Sequence, residues 1–239
     1  MKTPTLAILL SFVLTLPAHD GAAQQRVLDS LQAVLKTERQ DTNRVNALLG
    51  LVREFRGKDN AKALAYAEEG LKLAEKLSFQ RGMSRAYVET GALYTAKGDL
   101  KTAREYLERG LKFAEEKKQT KTIVSALMSL VIVSRRQGKI DDAMGFSQQA
   151  LTVATESRDL PDIARTLLTV GDIHYSQGRY DQALDHYQRS LKIREELGDR
   201  SGIASALLSI GNVHNHQGRY DEALGCYQRT LKLREETGD

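Results

Sequence analysis

Residues 164–199 read ARTLLTVGDIHYSQGRYDQALDHYQRSLKIREELGD, and the last nine residues of the chain, LKLREETGD (231–239), nearly repeat LKIREELGD (191–199). Within the longer stretch Ala164, Leu167, Leu168, Val170, Gly171 and His174 recur at three- and four-residue spacing, which predicts one face of an amphipathic helix. Gly178 suits the end of that helix, because glycine tolerates the left-handed conformation that closes a helix. Tyr180 then offers an apolar latch, and Asp181 places a negative charge where the dipole of a second helix favours it. Ala183, Leu184, Tyr187, Leu191 and Ile193 form the stripe of that second helix, and Gly198 closes the pair.

The same grammar recurs along the chain. Leu71, Leu111, Leu151, Leu191 and Leu231 share one register, and Ala63, Ala103, Ala143, Ala183 and Ala223 share a second. Gly98, Gly138, Gly178 and Gly218 form a third, and Met83, Ile123, Ile163 and Ile203 a fourth. A fixed period of this length is the mark of stacked supersecondary units, each too small to bury its apolar face alone. Glycine inside a helix costs about 1 kcal/mol relative to alanine. Its recurrence at Gly91, Gly171 and Gly211 therefore predicts a close approach between the two helices of a unit. The expected fold is all-α, an α-solenoid of stacked antiparallel helix pairs, with first helices lining a concave surface and second helices outside.

A small residue in the first helix, Gly-x-Tyr at the turn, and Ala followed by Tyr in the second helix resemble the tetratricopeptide repeat; IGNVHNHQGRYDEALGCYQRTLKL (210–233) carries the pattern most fully. Tyr87, Leu127, Leu167 and Leu207 stand where that family usually has Trp, and Tyr94, Ser134, His174 and His214 where it usually has an aromatic. The units divide as 41–80, 81–120, 121–160, 161–200 and 201–239. The first is divergent, with Leu51 at the small-residue place, and the third is weaker, with Val131 and Ser147 at key places. Residues 24–40 read as a helical lead-in that caps the first unit.

The N-terminus has a different character. Lys2, the apolar run LAILLSFVLTL (6–16) and the small residues Gly21 and Ala23 form a secretory signal pattern, with cleavage expected after Ala23 and an exported, periplasmic mature chain. The apolar run is far short of the ~20 residues that span a bilayer, so no membrane span is expected. The single cysteine, Cys226, allows no intramolecular disulfide. The chain carries a formal net charge of +4 over 239 residues, with the two signs interspersed. No clustered cations stand out along the sequence, so no nucleic-acid partner is expected.

Catalytic chemistry finds little support. His174 and His214 occupy an equivalent packing register, as do His186 and Cys226, and His214 and His216, two apart on a helix, point in different directions. The glycines are spread through the period rather than clustered into a phosphate loop. No enzyme activity, cofactor or metal is expected; an enzyme would need clustered acid, base or ligand groups. The resemblance instead implies that the inner face of the first helices holds a protein or peptide segment. Its candidate residues are Arg85, Arg135, Arg136, Arg165, Asp172, Tyr175, Asn212 and Asn215. The arginines suit an acidic or C-terminal peptide segment.

The last helix ends without a polar cap, which implies further repeats, self-association or a docked protein at that end. The signal pattern followed by forty-residue repeats resembles the exported N-terminal regions of Bacteroidetes-type signalling proteins. That resemblance implies a sensory role coupled to a histidine kinase or nucleotide cyclase. A free-standing periplasmic scaffold that assembles other proteins is the competing expectation.

Overall fold

The structure, a computed structural model, describes residues 19–37 and 39–238, so most of the expected signal segment lies outside the described residues. Eleven helices follow one another among these residues: α1 (His19–Leu35), α2 (Thr42–Phe55), α3 (Asn60–Lys76), α4 (Gln80–Lys97), α5 (Leu100–Glu116), α6 (Thr120–Arg136), α7 (Ile140–Glu156), α8 (Leu160–Ser176), α9 (Tyr180–Leu197), α10 (Arg200–His216) and α11 (Tyr220–Thr237). Consecutive helices pack on each other along the whole chain. The even-numbered helices also meet one another, α2 with α4, α4 with α6 and α8 with α10. They form the inner arc, and the odd-numbered helices form the outer layer.

The turns explain the regular spacing. Within the hairpins Gly98, Gly138, Gly178 and Gly218 adopt left-handed conformations, with φ between 72° and 89°, as the sequence pattern requires. At the joints between hairpins aspartates cap three inner helices: Asp41 Oδ1 accepts from the amides of Asn43 and Arg44, Asp159 from Asp162 and Asp199 from Gly202. Each such cap stabilises a helix start by about 1 kcal/mol.

The glycines of the inner helices sit where outer-helix side chains press in. A Cβ on Gly91 would lie 2.6 Å from Leu107 Cγ, one on Gly171 2.5 Å from Tyr187 Cε1, and one on Gly211 2.7 Å from Tyr227 Cε1. The tyrosines are then tied across the hairpin: Tyr187 donates to Asp172 Oδ1 at 2.8 Å, and Tyr227 to Asn212 Oδ1 at 2.9 Å. Ser190, fully buried, adds a 2.7 Å bond from Oγ to the Ala164 carbonyl. The third hairpin packs as closely as the rest, with Val131 and Ser147 both buried. Its central cluster of Val124, Leu127, Ala150 and Ala154 touches Leu111 of the hairpin before and Ile163 of the hairpin after. The core is thus continuous from one unit to the next.

At the two ends the packing differs. Helix α1 lies against α2, and a Cβ on Gly50 would come within 2.9 Å of Leu31. Helix α11 repeats α9 almost residue for residue, yet Leu224 and Leu231 are 54% and 60% exposed while Leu184 of α9 is 9% exposed beneath α10.

Candidate functional site

The inner arc presents two adjoining hollows. The first, about 950 Å³, is lined by Arg53 of α2, by Gln80, Arg81, Arg85, Val88 and Glu89 of α4, and by residues 117–122 and Ser125 at the start of α6. The second, about 670 Å³, shares Arg53, Lys121 and Ser125 with it and extends to Arg158, Pro161, Arg165 and Leu197. Together they form one groove over the inner helices.

The sequence-expected residues are distributed unevenly over this surface. Arg85 lies in the first hollow, where its guanidinium donates to Asn46 Oδ1 at 3.3 Å. Burial, then the charges of Arg53 and Arg81, pull its pKa below the ordinary guanidinium value. Arg165 borders the second hollow and pairs with Asp162 at 2.6 Å. Arg136 donates to the Thr95 carbonyl at 2.6 Å and so ties α6 to α4. Arg135 is exposed, and its charge acts on Asp172 of the next hairpin. Burial pushes the Asp172 carboxyl up, while the Tyr187 hydroxyl and the Arg135 charge pull it back.

Further along, Tyr175 packs against Tyr180 and edge-on against His216, with centroids 5.7 and 5.4 Å away. Asn212 accepts from Tyr227, which leaves its amide nitrogen for a ligand, and Asn215 is exposed. The structure therefore brings Arg135 to Asp172 and Tyr175 to His216, but it does not gather the four arginines into one patch. The cations it does gather are Arg53, Arg81, Arg85, Lys117, Lys118 and Lys121. Five of these six escaped the sequence reading, which followed only the inner faces of the first helices. Lys117 and Lys118 lie in a joint, and the recurrence of joints every forty residues is the signal that could have found them.

His174 and His186 are packing residues. His174 and His186 stack with centroids 5.3 Å apart and planes 7° apart. Two periods earlier Tyr94 and Tyr106 stack in the same registers, at 5.5 Å and 22°. Burial lowers the pKa of both histidines; Arg179 adds to the effect on His174, and His174 and Arg189 to that on His186. A folded-state pKa below the unfolded value of ~6.5 means that the unfolded chain binds more protons in that range. The contribution to stability is therefore complete above the unfolded value and is lost as pH falls below it. The urea midpoint should drop between pH 7.5 and pH 5.5, and the double variant His174→Tyr with His186→Phe should flatten that drop. Equal slopes for the two proteins would show that the pair does not titrate in this window.

Among the described residues no group of three or more His, Cys, Asp or Glu lies close enough to hold a metal ion, and no helix is long and apolar enough to cross a membrane. The groove offers hydrogen-bond donors, cations and a partly apolar floor.

Known structures share this architecture. BtubC (BKLC) from P. vanneervenii superposes with a TM-score of 0.72 at 21% identity, over 91% of this chain and 90% of that one. A Rap protein complexed with Competence and Sporulation Factor gives 0.70 at 15% identity, over 90% and 72% of the two chains. NprR in complex with its cognate peptide NprX gives 0.67 at 18%, over 91% and 63%. No curated protein matches the chain. Tetratricopeptide repeat models match residues 84–117, 122–196 and 204–236, together more than half of the sequence. With the glycine-spaced hairpins, the tyrosines pressed into them and the continuous core, these matches place the chain in the tetratricopeptide repeat family.

Proposed function

We propose that this protein is a non-enzymatic scaffold that holds a protein or peptide segment in the groove of its inner helices. The observation that carries this reading is the groove itself: an open, donor-rich surface continuous from Arg53 to Leu197 and built on rigid helices. Two proteins of the same architecture, a Rap protein and NprR, were each determined with such a partner, Competence and Sporulation Factor in one case and the peptide NprX in the other. Arg135 and Arg165, both exposed, are placed to pair with carboxylates on the occupant. A random peptide library panned on the full chain should enrich ligands that bind at least about tenfold more weakly to Arg135→Glu with Arg165→Glu. Enriched ligands that ignore the double variant would put the binding surface elsewhere.

The signal pattern at residues 1–23 supports export to the periplasm, and with it a sensory role in a signalling protein of the histidine kinase or nucleotide cyclase type. Fractionation of source cells with an antibody to the repeats tests both points. A periplasmic species slightly below 26.6 kDa would favour a free-standing scaffold, and a much larger membrane-bound species the sensory region of a longer protein. In the second case the exposed Leu224 and Leu231 of α11 are the place for further repeats.

A further inference from the structure

We propose that the first hollow, between α2, α4 and α6, is a subsite for a run of adjacent anionic groups on a peptide, carboxylates or phosphates; this rests on the groove reading above and gives the occupant a chemistry and a direction. Six cations line the hollow, Arg53, Arg81, Arg85, Lys117, Lys118 and Lys121, against one carboxylate, Glu89, and Lys121 also pairs with Asp159 of the second hollow at 3.4 Å. Glu89 is already claimed: Arg53 lies 3.8 Å from it, and Arg56 is in direct contact. Arg85 is half-buried between two other arginines, a like-charge arrangement that an incoming anion would relieve.

Two local features add to the positive potential. Of the inner helices, α4 and α6 begin without a side-chain cap and without an acid in the first turn, whereas α2, α8 and α10 are capped by Asp41, Asp159 and Asp199. The uncapped amides and the positive ends of those two dipoles lie at the rim of this hollow. The joints themselves are the second feature. Lys118 and Arg158 hold left-handed backbones, with φ of 52° and 56°, in the register where the later joints place Gly198 and Gly238. A side chain in that conformation carries a steric cost that glycine avoids; Ser78 shares the conformation and register without a charge, whereas Lys118 and Arg158 each place a cation in the groove lining.

The occupant is a peptide rather than a nucleic acid. Asp159, paired with Lys121, and Asp162, paired with Arg165, interrupt the groove beyond the first hollow, and Asp172 follows further along the same helix, α8. A continuous phosphate backbone would have to pass all three, whereas an acidic run confined to one end of a peptide meets the cations and the single carboxylate Glu89, which Arg53 and Arg56 already pair. The remainder of that peptide would lie toward Tyr175, Asn212 and Asn215.

Fluorescence anisotropy on the full chain tests this with four labelled probes. They are a ten-residue peptide with four consecutive glutamates, its counterpart with glutamines, its counterpart with two phosphoserines, and a ten-nucleotide single-stranded DNA. At low salt one or both acidic peptides should bind at least about tenfold more tightly than the glutamine peptide and should weaken as salt rises. The relative affinity of the two acidic probes decides between carboxylate and phosphate as the natural group. The variant Lys118→Gly with Arg158→Gly removes one cation from each hollow while relieving two left-handed backbones, so the fold is not put at risk, and it should weaken that preference. Arg81→Glu with Lys121→Glu, both exposed, should abolish it. A glutamine peptide that binds as tightly would overturn the anionic preference and leave the groove reading standing. DNA binding tighter than either acidic peptide, no binding of either, or unchanged affinity in both variants would overturn the subsite.

Discussion

Gly171→Val should destabilise the protein by about 3 kcal/mol, the upper part of the range for overpacking a close-packed interior. The added Cβ would meet the Tyr187 ring at 2.5 and 2.6 Å. That ring has no free direction: Tyr187 is 2% exposed, and its hydroxyl is held by Asp172 at 2.8 Å. Relief requires α8 and α9 to separate, which also stretches the buried bond from Ser190 to the Ala164 carbonyl. For a chain of this length the loss corresponds to a fall in Tm of roughly 6–12 °C. Gly225→Ala supplies the contrast. Gly225 also lies inside a helix, but a Cβ there meets nothing within 4 Å. Only the helix propensity changes, a gain of about 0.5–1 kcal/mol. Thermal unfolding of both variants decides the matter, since shifts of the same sign would mean that the glycine register does not mark close helix approach.

Leu127→Ala should cost about 3 kcal/mol, within the range for truncating a buried leucine, and should also change how the molecule unfolds. Leu127 is fully buried in α6, in a cluster that reaches Leu111 on one side and Ile163 on the other. In a solenoid, stability is roughly the sum of unit terms and nearest-neighbour interface terms. A cavity in the central unit weakens its own term and both interfaces together. The urea transition should become biphasic, and amide exchange in α6 and α7 should accelerate before that in α10. Leu231→Ala, at a position 60% exposed in α11, should change stability by about 0.5 kcal/mol or less. A single, uniformly shifted transition for Leu127→Ala would show that the solenoid behaves as one cooperative block instead.

The hairpins and their order follow from the sequence by itself. The forty-residue registers, the helix-ending glycines and the three- and four-residue apolar spacing are local features, and helix geometry converts them directly into faces and turns. The tight places were legible for the same reason, because a glycine retained at its local cost in Gly91, Gly171 and Gly211 implies a neighbour that needs the room. So was the packing role of His174 and His186, which follows from the registers they share with Tyr94 and Tyr106.

The charge distribution of the groove was decided only by the tertiary structure. Arg53, Arg81 and Lys121 are separated by 28 and 40 positions and look interspersed along a chain of modest net charge. Stacking brings residues a full period apart into neighbouring positions and turns two joints, those before α4 and α6, toward one hollow. The partners that occupy Arg136 and Asp172 were hidden because they are distant in the chain, Thr95 a full period away from Arg136 and Tyr187 on the other helix of the hairpin from Asp172, whereas the Asp162 partner of Arg165 lies only three residues away. Local spacing fixes which face a side chain occupies. Which charges share that face, and which of them are already satisfied, depends on contacts between units that the linear order does not display.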